Sequence, residues 1–359
     1  MKHGILNRFI DRFMGRGSAA VTVPALDGAL KPNNLLEDLP KGLDVSAPND
    51  ITIWQSKALW TDGAQLVSDA GILVDLGSNI TALAADESHI VAATLADGLI
   101  VLNSAMEKVT PVWSVPQQNI TALDIAPDGQ LWFCVGSAQN APTEWRSDLM
   151  EKNASGMVGH ADLSTGETKI ILRRLSYPSG IAATARGSIV FSEAWASHLV
   201  EIAPEGGTKH IILDEIPGYP GRLHSRAEGG YWLSIFAPRS PLIEFVLREP
   251  GYLRAMLREV PSDYWVAPSY ASGRSFHEPM QGGSLKQMGI LKPWAPTLSY
   301  GLVVELDAQF NPLRSFHSRA GGKRHGITAV CELQDELRLV GCGSNEILHM
   351  PLANTGASA

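Results

Sequence analysis

Cysteine is scarce in this chain of 359 residues, and no long apolar run interrupts it. The three cysteines, Cys134, Cys331 and Cys342, lack Cys-x-x-Cys spacing, so the sequence predicts neither a disulfide framework nor a zinc site. Cys134 and Cys331 stand in apolar strand-like runs, where free thiols behave as small buried hydrophobes. Since no stretch has the length or apolarity of a signal peptide or a transmembrane helix, we expect a cytoplasmic protein.

Charge is also scarce, and positive charge in particular is not clustered. Charged residues make up 18% of the chain and hydrophobic residues 45%, with a formal net charge of −8. This composition supports a large packed core and argues against disorder. The basic pairs Arg173-Arg174 and Lys323-Arg324 are the largest groupings, so we predict no nucleic-acid partner.

The N-terminus combines apolar and basic side chains in a helical pattern. Ile5 and Phe9 fall on one side of a helix, and Arg8 and Arg12 on the other. Such a helix can lie on a membrane surface, but we favour an arm that packs on the fold or on a second copy in a homodimer. We therefore predict a helical arm and lead-in segment over residues 1–47.

Short apolar strands separated by turn signals occupy residues 48–352. Examples are ITALAADESHIVAATLADGLIVLN (80–103), ITALDIAPDGQLWFCVG (120–136) and SGIAATARGSIVFSEAWASHLVEIA (179–203). Recurrence at roughly 40 to 50 residues is typical of four-stranded propeller blades, and the region holds about six such units. The sequence predicts an all-β, six-bladed β-propeller. We expect a strand near residues 48–54 to close the ring by joining the last blade.

One segment, residues 247–296, breaks this rhythm. LREPGYLRAMLREVP predicts a short helix, and a stretch rich in glycine, serine and aromatic residues follows it. A loop of this length in a compact domain is usually functional. We predict a long loop and helix insertion in the fifth blade. Its aromatic residues are Tyr264, Trp265, Tyr270, Phe276 and Trp294.

Three stretches carry a family resemblance. They are PDGQLWFCVGSAQNAPTEWRSDLMEKNASGMVGHADLSTGETKIILRRLSYPSGIA, IVFSEAWASHLVEI and IPGYPGRLHSRAEGGYWLSIFAPRSPLIEF. Their order resembles the strictosidine synthase-like family, which is related to the senescence marker protein/gluconolactonase and paraoxonase propellers. The resemblance implies a six-bladed propeller with its site in the central channel. Because fold does not determine function, the site residues have to be judged singly.

In the hydrolase relatives a calcium ion in the channel polarises the substrate carbonyl and activates water. Calcium needs six to eight oxygen ligands, and the permanent charge of an arginine at Arg222 would repel it in a confined site. We therefore predict a metal-independent site with no cofactor. A calcium-dependent lactonase with altered ligands stays as an alternative, since Asp50 could offer a carboxylate. The family's ligand positions are matched here by Asn49, Thr121 or Ala122, Ser179 and Gly221-Arg222.

Strictosidine synthase itself joins an amine to an aldehyde, and a glutamate of the sixth blade handles the proton. In the matching stretch, HGITAVCELQDELRLVG, that position falls at Thr328 or Ala329. This departure weakens the case for condensation, although C–N or C–C lyase chemistry remains an alternative.

The remaining polar residues suggest a catalytic set. His224 follows Arg222 by two residues, so both side chains should lie on one face of a strand. We predict that Arg222 orients a carboxylate or developing oxyanion, with His224 or Glu193 as general acid/base. Structural roles are the alternative for each, such as Glu193 tying blades together. Substrate-binding residues are predicted at Asn49, Asp50, Trp145, Ser179 and His325.

These residues lead to one principal hypothesis, a metal-independent small-molecule enzyme acting in the channel. The expected reaction is hydrolysis of an ester, lactone or amide, and the expected substrate is anionic or carbonyl-bearing. A non-catalytic propeller that binds a metabolite or a protein partner is the alternative from another class, because both the calcium ligands and the condensation glutamate are replaced.

Overall fold

Antiparallel sheets follow one another along the chain in the computed structural model, which describes residues 23–274, 278, 286–287, 290–291 and 299–352. Blade 1 contains β2 (Ile51–Trp54), β3 (Lys57–Asp62), β4 (Gln65–Ser68) and β5 (Gly71–Asp75). Blade 2 contains β6 (Ile80–Ala85), β7 (Ile90–Thr94) and β8 (Gly98–Leu102). Blade 3 contains β9 (Ile120–Ile125), β10 (Gln130–Val135), β11 (Gly156–Asp162) and β12 (Thr168–Leu175).

The second half of the chain repeats this arrangement. Blade 4 contains β13 (Pro178–Ala183), β14 (Ile189–Glu193), β15 (His198–Ile202) and β16 (His210–Leu213). Blade 5 contains β17 (Gly218–Ser225), β18 (Tyr231–Pro238), β21 (Gly301–Leu306) and β22 (Pro312–Ser318). Blade 6 contains β23 (Ile327–Leu333), β24 (Glu336–Gly341), β25 (Glu346–Pro351) and β1 (Leu43–Asp44).

The innermost strands of the blades form a closed ring. β2, β6, β9, β13, β17 and β23 contact one another in this order, and β23 contacts β2. All of them begin at the same end of a central channel, because each blade repeats the same antiparallel path. The predicted all-β, six-bladed β-propeller is therefore confirmed.

The ring is closed by a different strand from the one expected. Leu43–Asp44 pairs with β25 as the outermost strand of blade 6, whereas Ile51–Trp54 is the innermost strand of blade 1. The prediction of closure near residues 48–54 is thus wrong. The apolar ITIW segment is mostly buried and suits an inner strand, while Leu43 and Asp44 are exposed and suit an edge.

The segment before β1 packs against the propeller. Leu36 is completely buried among blade 5 and blade 6 side chains that include Trp232 and Phe316. The Asn33 side chain donates to the carbonyl of Ser315 at 2.8 Å. We call residues 33–44 the N-terminal strap. The helical arm predicted at the extreme N-terminus lies outside the described residues.

Large apolar side chains fill the spaces between blades. Trp132 packs between blades 3 and 4 with Ile181 and Phe191, and Trp60 packs between blades 1 and 6 with Val340. Side chains of this size each bury about 150 to 250 Å² and dominate core energetics. The channel is therefore framed by tightly packed sheets.

Helices lie at one mouth of the channel. They are α1 (Trp145–Glu151), α2 (Pro241–Val246) and α3 (Pro250–Glu259). The described residues also include 3₁₀ turns at Pro142–Glu144, Ala194–Ala196 and Ser262–Tyr264, and one at Gly28–Leu30 that packs against β22. The insertion of blade 5 joins β18 to β21 and contains α2, α3, β19 (Lys286–Gln287) and β20 (Ile290–Leu291). The predicted short helix corresponds to α3. Phe276 and Trp294 lie outside the described residues.

Candidate functional site

The guanidinium of Arg222 lies at the centre of the channel. Its Nη1 donates to the carbonyls of Asn49 at 3.0 Å and Thr328 at 3.2 Å. Its Nη2 donates to the carbonyl of Thr81 at 2.6 Å, and its Nε lies 3.0 Å from a carboxylate oxygen of Asp50. Arg222 thus connects blade 5 to blades 1, 2 and 6.

Asp50, the anionic partner of Arg222, is buried and fully engaged. Its oxygens accept hydrogen bonds from the N–H groups of Ile51 at 2.8 Å and Leu83 at 2.7 Å. Burial raises the pKa of Asp50, while the charge of Arg222 and the two N–H groups oppose that rise. The pair behaves as a structural connection between blades rather than as a group that awaits a substrate.

Short polar side chains on the inner strands connect each blade to a neighbour. The amide of Asn49 donates to the carbonyl of Thr81 at 2.8 Å, and the hydroxyl of Thr328 to that of Asn49 at 2.8 Å. The hydroxyl of Thr121 likewise donates to Pro178 at 2.6 Å, and that of Ser179 to Pro220 at 2.7 Å. The blades approach so closely that a Cβ on Gly180 would lie 2.1 Å from the Gly221 carbonyl oxygen.

The family's calcium positions therefore do not fit a calcium ion in this chain. Asn49, Thr121 and Ser179 direct their donors at main-chain carbonyls, and the Arg222 guanidinium uses carbonyls that a cation would otherwise bind. Asp50 is paired with that guanidinium. A divalent ion would meet a fixed positive charge and too few free oxygens.

Arg222 separates the channel into two compartments. The cover-side compartment, of about 40 Å³, lies at the mouth that carries the helices, and the base-side compartment, of about 180 Å³, lies at the opposite end. Because the inner strands run in the same direction, residues early in each strand line the first compartment and later residues line the second. The cover-side polar residues include Asn49, Thr81, Thr121, Ser179, Arg222 and Thr328.

Four aromatic side chains, which we call the aromatic cover, enclose the cover-side compartment. They are Trp145, Tyr177, Phe236 and Tyr270. Trp145, the first residue of α1, lies 4.9 Å from Tyr270 and 5.4 Å from Phe236 between ring centroids. Tyr177 has a left-handed backbone, with φ at 58°, immediately before β13. That strained conformation aims a bulky ring at the channel mouth and is typical of functional sites.

Two hydroxyl groups of the aromatic cover remain open to a ligand. Among the described residues, neither Tyr177 nor Tyr270 has a hydrogen-bond partner for its hydroxyl. Burial raises the pKa of both, and each also feels the positive charge of Arg222. Both hydroxyls are therefore protonated donors at physiological pH and lie close to the guanidinium.

Arg222 and His224 both line the base-side compartment, and of the two only Arg222 also lines the cover-side one. His224 lines only the base-side compartment, and burial lowers its pKa to about 4. Three of the five N–H groups of Arg222 donate to main-chain carbonyls, so only the Nε, beside Asp50, and one N–H of Nη2 remain for other acceptors. Asn49, Trp145 and Ser179 do line the cover-side compartment with Arg222, whereas Asp50 lines the base-side one.

Glu193 lies outside both compartments. Its carboxylate accepts from the Ser176 N–H at 2.8 Å and from Lys209 at 3.1 Å, and it lies 3.1 Å from His198. Burial would raise the pKa of Glu193, but these hydrogen bonds and the lysine charge leave it lowered. The geometry supports the structural interpretation of Glu193, because a general base with a raised pKa is what the hydrolytic hypothesis required.

His325 holds the two flanks of the insertion. Its Nδ1 lies 2.7 Å from the hydroxyl of Ser299, which lies 2.6 Å from that of Ser272. Its Nε2 lies 3.0 Å from the carbonyl of Arg319. Burial lowers the pKa of His325. The imidazole lines neither compartment, so the structure gives it a supporting position rather than contact with a substrate.

The sequence hypothesis did not single out Tyr177, Phe236 or Thr81. Tyr177 stands in the motif SYPSG directly before an inner strand, and that position at a channel mouth could have identified it. Tyr270 was recognised only as one of several aromatic residues in the insertion. Nothing in local sequence distinguishes it from Tyr264, which is exposed.

Comparison with known proteins bears on the family resemblance and on the fold. Residues 121–201 match the family Strictosidine synthase. STRICTOSIDINE SYNTHASE-LIKE 6 of Arabidopsis thaliana is 24% identical over 55% of this chain and 46% of its own length. The predicted resemblance to strictosidine synthase-like proteins is confirmed. In fold, the chain is similar to a gluconolactonase of Xanthomonas campestris, with 12% identity, a TM-score of 0.53 and coverage of 86% and 87% of the two chains.

The expected cytoplasmic location is contradicted by other relatives. The adipocyte plasma membrane-associated protein of Salmo salar is 24% identical over 65% of this chain and 52% of its own length. Proteins of the same name from Danio rerio and Homo sapiens also match. The chain spans about half the length of the curated relatives it matches. Within the described part of the chain, no helix has the length and apolarity needed to cross a membrane.

Proposed function

We propose that this propeller binds a small carbonyl-bearing compound with an apolar body in the cover-side compartment and hydrolyses it without a bound metal ion. The observation that carries the proposal is the pair of unpartnered hydroxyls on Tyr177 and Tyr270 beside the Arg222 guanidinium. An ester or lactone is the substrate class, in keeping with the gluconolactonase similar in fold.

The chemistry follows from the donors. A carbonyl oxygen placed between the two tyrosines would accept their hydrogen bonds, and these would strengthen as negative charge develops on that oxygen. Fixed donors in a water-poor site are the arrangement that stabilises an oxyanion. Arg222 has two N–H groups that do not donate to carbonyls. One is on Nε, beside Asp50, and the other is on Nη2 and can donate to the same ligand oxygen.

The apolar body of the ligand would contact the aromatic cover. At about 40 Å³ the compartment holds only about one or two water molecules, so a ligand must displace aromatic side chains to enter. Aromatic walls favour a flat or aliphatic compound over a highly charged one. We therefore place the carbonyl-bearing substrate ahead of the anionic one, since the charge of Arg222 is already compensated by Asp50.

Binding without turnover is the second candidate. Among the described residues that line the cover-side compartment, none is a carboxylate or an imidazole. Hydrolysis would then depend on a water molecule positioned by hydroxyl groups, without the usual assistance from a base. A metabolite-binding propeller needs no such assistance.

One set of measurements tests both candidates. The purified chain would be assayed with phenyl acetate, γ-butyrolactone and δ-valerolactone, each with added calcium and with EDTA. We expect turnover that is indifferent to both additions, and a loss of about tenfold to a hundredfold in kcat/KM for Tyr177→Phe and Tyr270→Phe. Tyr252→Phe is the matched control, because that side chain is exposed on α3.

The outcomes separate the candidates. Turnover that requires calcium would contradict the proposal. Absence of turnover, together with ligand-induced shifts in Tm that the Tyr177→Phe/Tyr270→Phe double variant loses, would establish the binding candidate. If the tyrosine variants match the wild type in both turnover and Tm shift, the cover-side compartment is not the site.

A further inference from the structure

The base-side compartment is larger than the cover-side one and contains a second carboxylate. Its volume of about 180 Å³ exceeds the roughly 150 Å³ that holds a benzene molecule in an engineered protein cavity. Most of its exposed lining is polar, and the aliphatic residues that contribute to it include Ile53, Leu83, Ile181 and Val330. Ser225, which is exposed, marks its opening to solvent. Asp124 and His224 also line it.

Asp124 accepts the same kinds of main-chain hydrogen bonds as Asp50, but among the described residues it has no ion-pair partner. Its carboxylate accepts from the N–H of Ala183, on the next blade, at 2.7 Å, and from the N–H of Ile125, its own neighbour. Asp50 accepts from the next blade and from its own neighbour in the same way, and it also has Arg222. Within the described part of the chain, no lysine, arginine or histidine lies within ion-pair distance of Asp124.

A carboxylate that is removed from water without a counter-charge is energetically unfavourable in its ionised form. Burial accordingly raises the pKa of Asp124 to about 7. The other titratable groups of the compartment are Asp50 and Arg222, which neutralise each other, and the neutral imidazole of His224. Burial raises the pKa of Tyr231, the charges of Asp124 and Glu201 raise it further, and the charge of Arg186 opposes the rise.

We propose that the base-side compartment is a binding site for a small organic cation, an ammonium or guanidinium group on a body of about benzene size. The Asp124 carboxylate would be its counter-ion, in the way that Asp50 serves Arg222 within this chain. The aliphatic residues of the lining would contact the body of the ligand. His224, with no hydrogen-bond partner among the described residues, would accept a further N–H.

A metal ion is a poorer occupant of the same space. A single carboxylate cannot supply the oxygen ligands that calcium requires. Among the described residues there is no group of three or more histidine, cysteine, aspartate or glutamate side chains suited to a metal.

Calorimetric titration of the purified full chain with n-butylammonium and methylguanidinium chloride tests the proposal, with 1-butanol as the neutral comparison. At pH 6 we expect the cations to bind and to release close to one proton, measured in two buffers of different ionisation enthalpy, since binding ionises Asp124. At pH 8.5 the proton release should disappear. 1-Butanol should bind at least tenfold more weakly.

Asp124→Asn keeps an oxygen for the Ala183 N–H and should lose at least tenfold in cation affinity. Asp128→Asn removes an equal charge from an exposed turn and should change nothing. A Tm measurement on each variant establishes that it is folded. The proposal is overturned if the wild type binds neither cation, if Asp124→Asn binds as the wild type does, or if 1-butanol binds equally well.

Discussion

At the scale of single residues, Arg222 connects its own blade to three others and compensates a buried carboxylate. Its donors reach carbonyl groups of three other blades, and its charge compensates Asp50 at the centre of the ring. A guanidinium differs from a metal ion in that it is covalently attached and cannot be removed by a chelator. The centre of the channel is thus occupied independently of metal supply.

Arg222→Ala should be strongly destabilising. It leaves Asp50 buried without a counter-charge and removes the donor of three carbonyls, so we expect a loss of about 3 to 5 kcal/mol in the free energy of unfolding. Urea denaturation measures this loss. Arg186→Ala, which breaks the exposed pair with Glu201, should cost at most about 1 kcal/mol. Equal effects of the two substitutions would show that the central position of Arg222 carries no special stabilisation.

At the scale of elements, the N-terminal strap completes blade 6 and covers the space between blades 5 and 6. The Glu37 carboxylate accepts from the hydroxyl of Ser318 at 2.7 Å and from the N–H of Lys323 at 2.8 Å. Burial would raise the pKa of Glu37, but these hydrogen bonds leave it lowered. The Arg324 guanidinium donates to the Glu37 carbonyl at 2.7 Å. The strap is therefore a structural part of the ring.

Two adjacent leucines of the strap offer a direct test. Leu36 is 0% exposed and Leu35 is 38% exposed. Leu36→Ala should lower the free energy of unfolding by about 3 kcal/mol or more, because it leaves a cavity beside Trp232. Leu35→Ala should change it by less than about 1 kcal/mol. Thermal or urea unfolding of the two variants compares them. If both cost the same small amount, the strap does not contribute to the core.

At the scale of the whole molecule, titratable groups removed from water have opposite effects on the stability of the fold as the pH falls. Burial lowers the pKa of His224 and His317 to about 4 and raises that of Asp124 to about 7. Below about pH 6.5 the unfolded chain protonates both histidines before the native chain does, so they destabilise the fold as the pH falls. Asp124 takes up its proton earlier in the native chain and therefore stabilises the fold over the same range.

We predict that Asp124→Asn is more acid-sensitive than the wild type. Between pH 7 and pH 5 its free energy of unfolding should fall by about 2 kcal/mol more, since the stabilising proton uptake is removed. Urea denaturation at both pH values measures the difference, with Asp128→Asn as the control. Parallel profiles for Asp124→Asn and the wild type would mean that Asp124 titrates at an ordinary carboxyl pKa.

Much of the fold was predictable because its signals are local. Apolar strands and turns such as PDG and EGG indicate each blade in the sequence. The geometry of such turns depends only on neighbouring residues. The departures from the family's ligand positions, among them Ser179 and Arg222, could also be recognised from sequence. They occupy defined places on inner strands, and the structure brings both to the cover-side compartment.

Other properties depended on residues far apart in the chain. Nothing local indicates that Leu43–Asp44 closes the ring, because an edge strand takes its partner from the opposite end of the sequence. Nothing local indicates either that Arg222 donates to carbonyls of blades 1, 2 and 6. Those hydrogen bonds hold Arg222 between the two compartments, whereas His224 lines only one of them. Strand periodicity determines the face on which a side chain lies. The tertiary packing of the blades determines what that side chain meets, since hydrogen bonding and desolvation act only at close range.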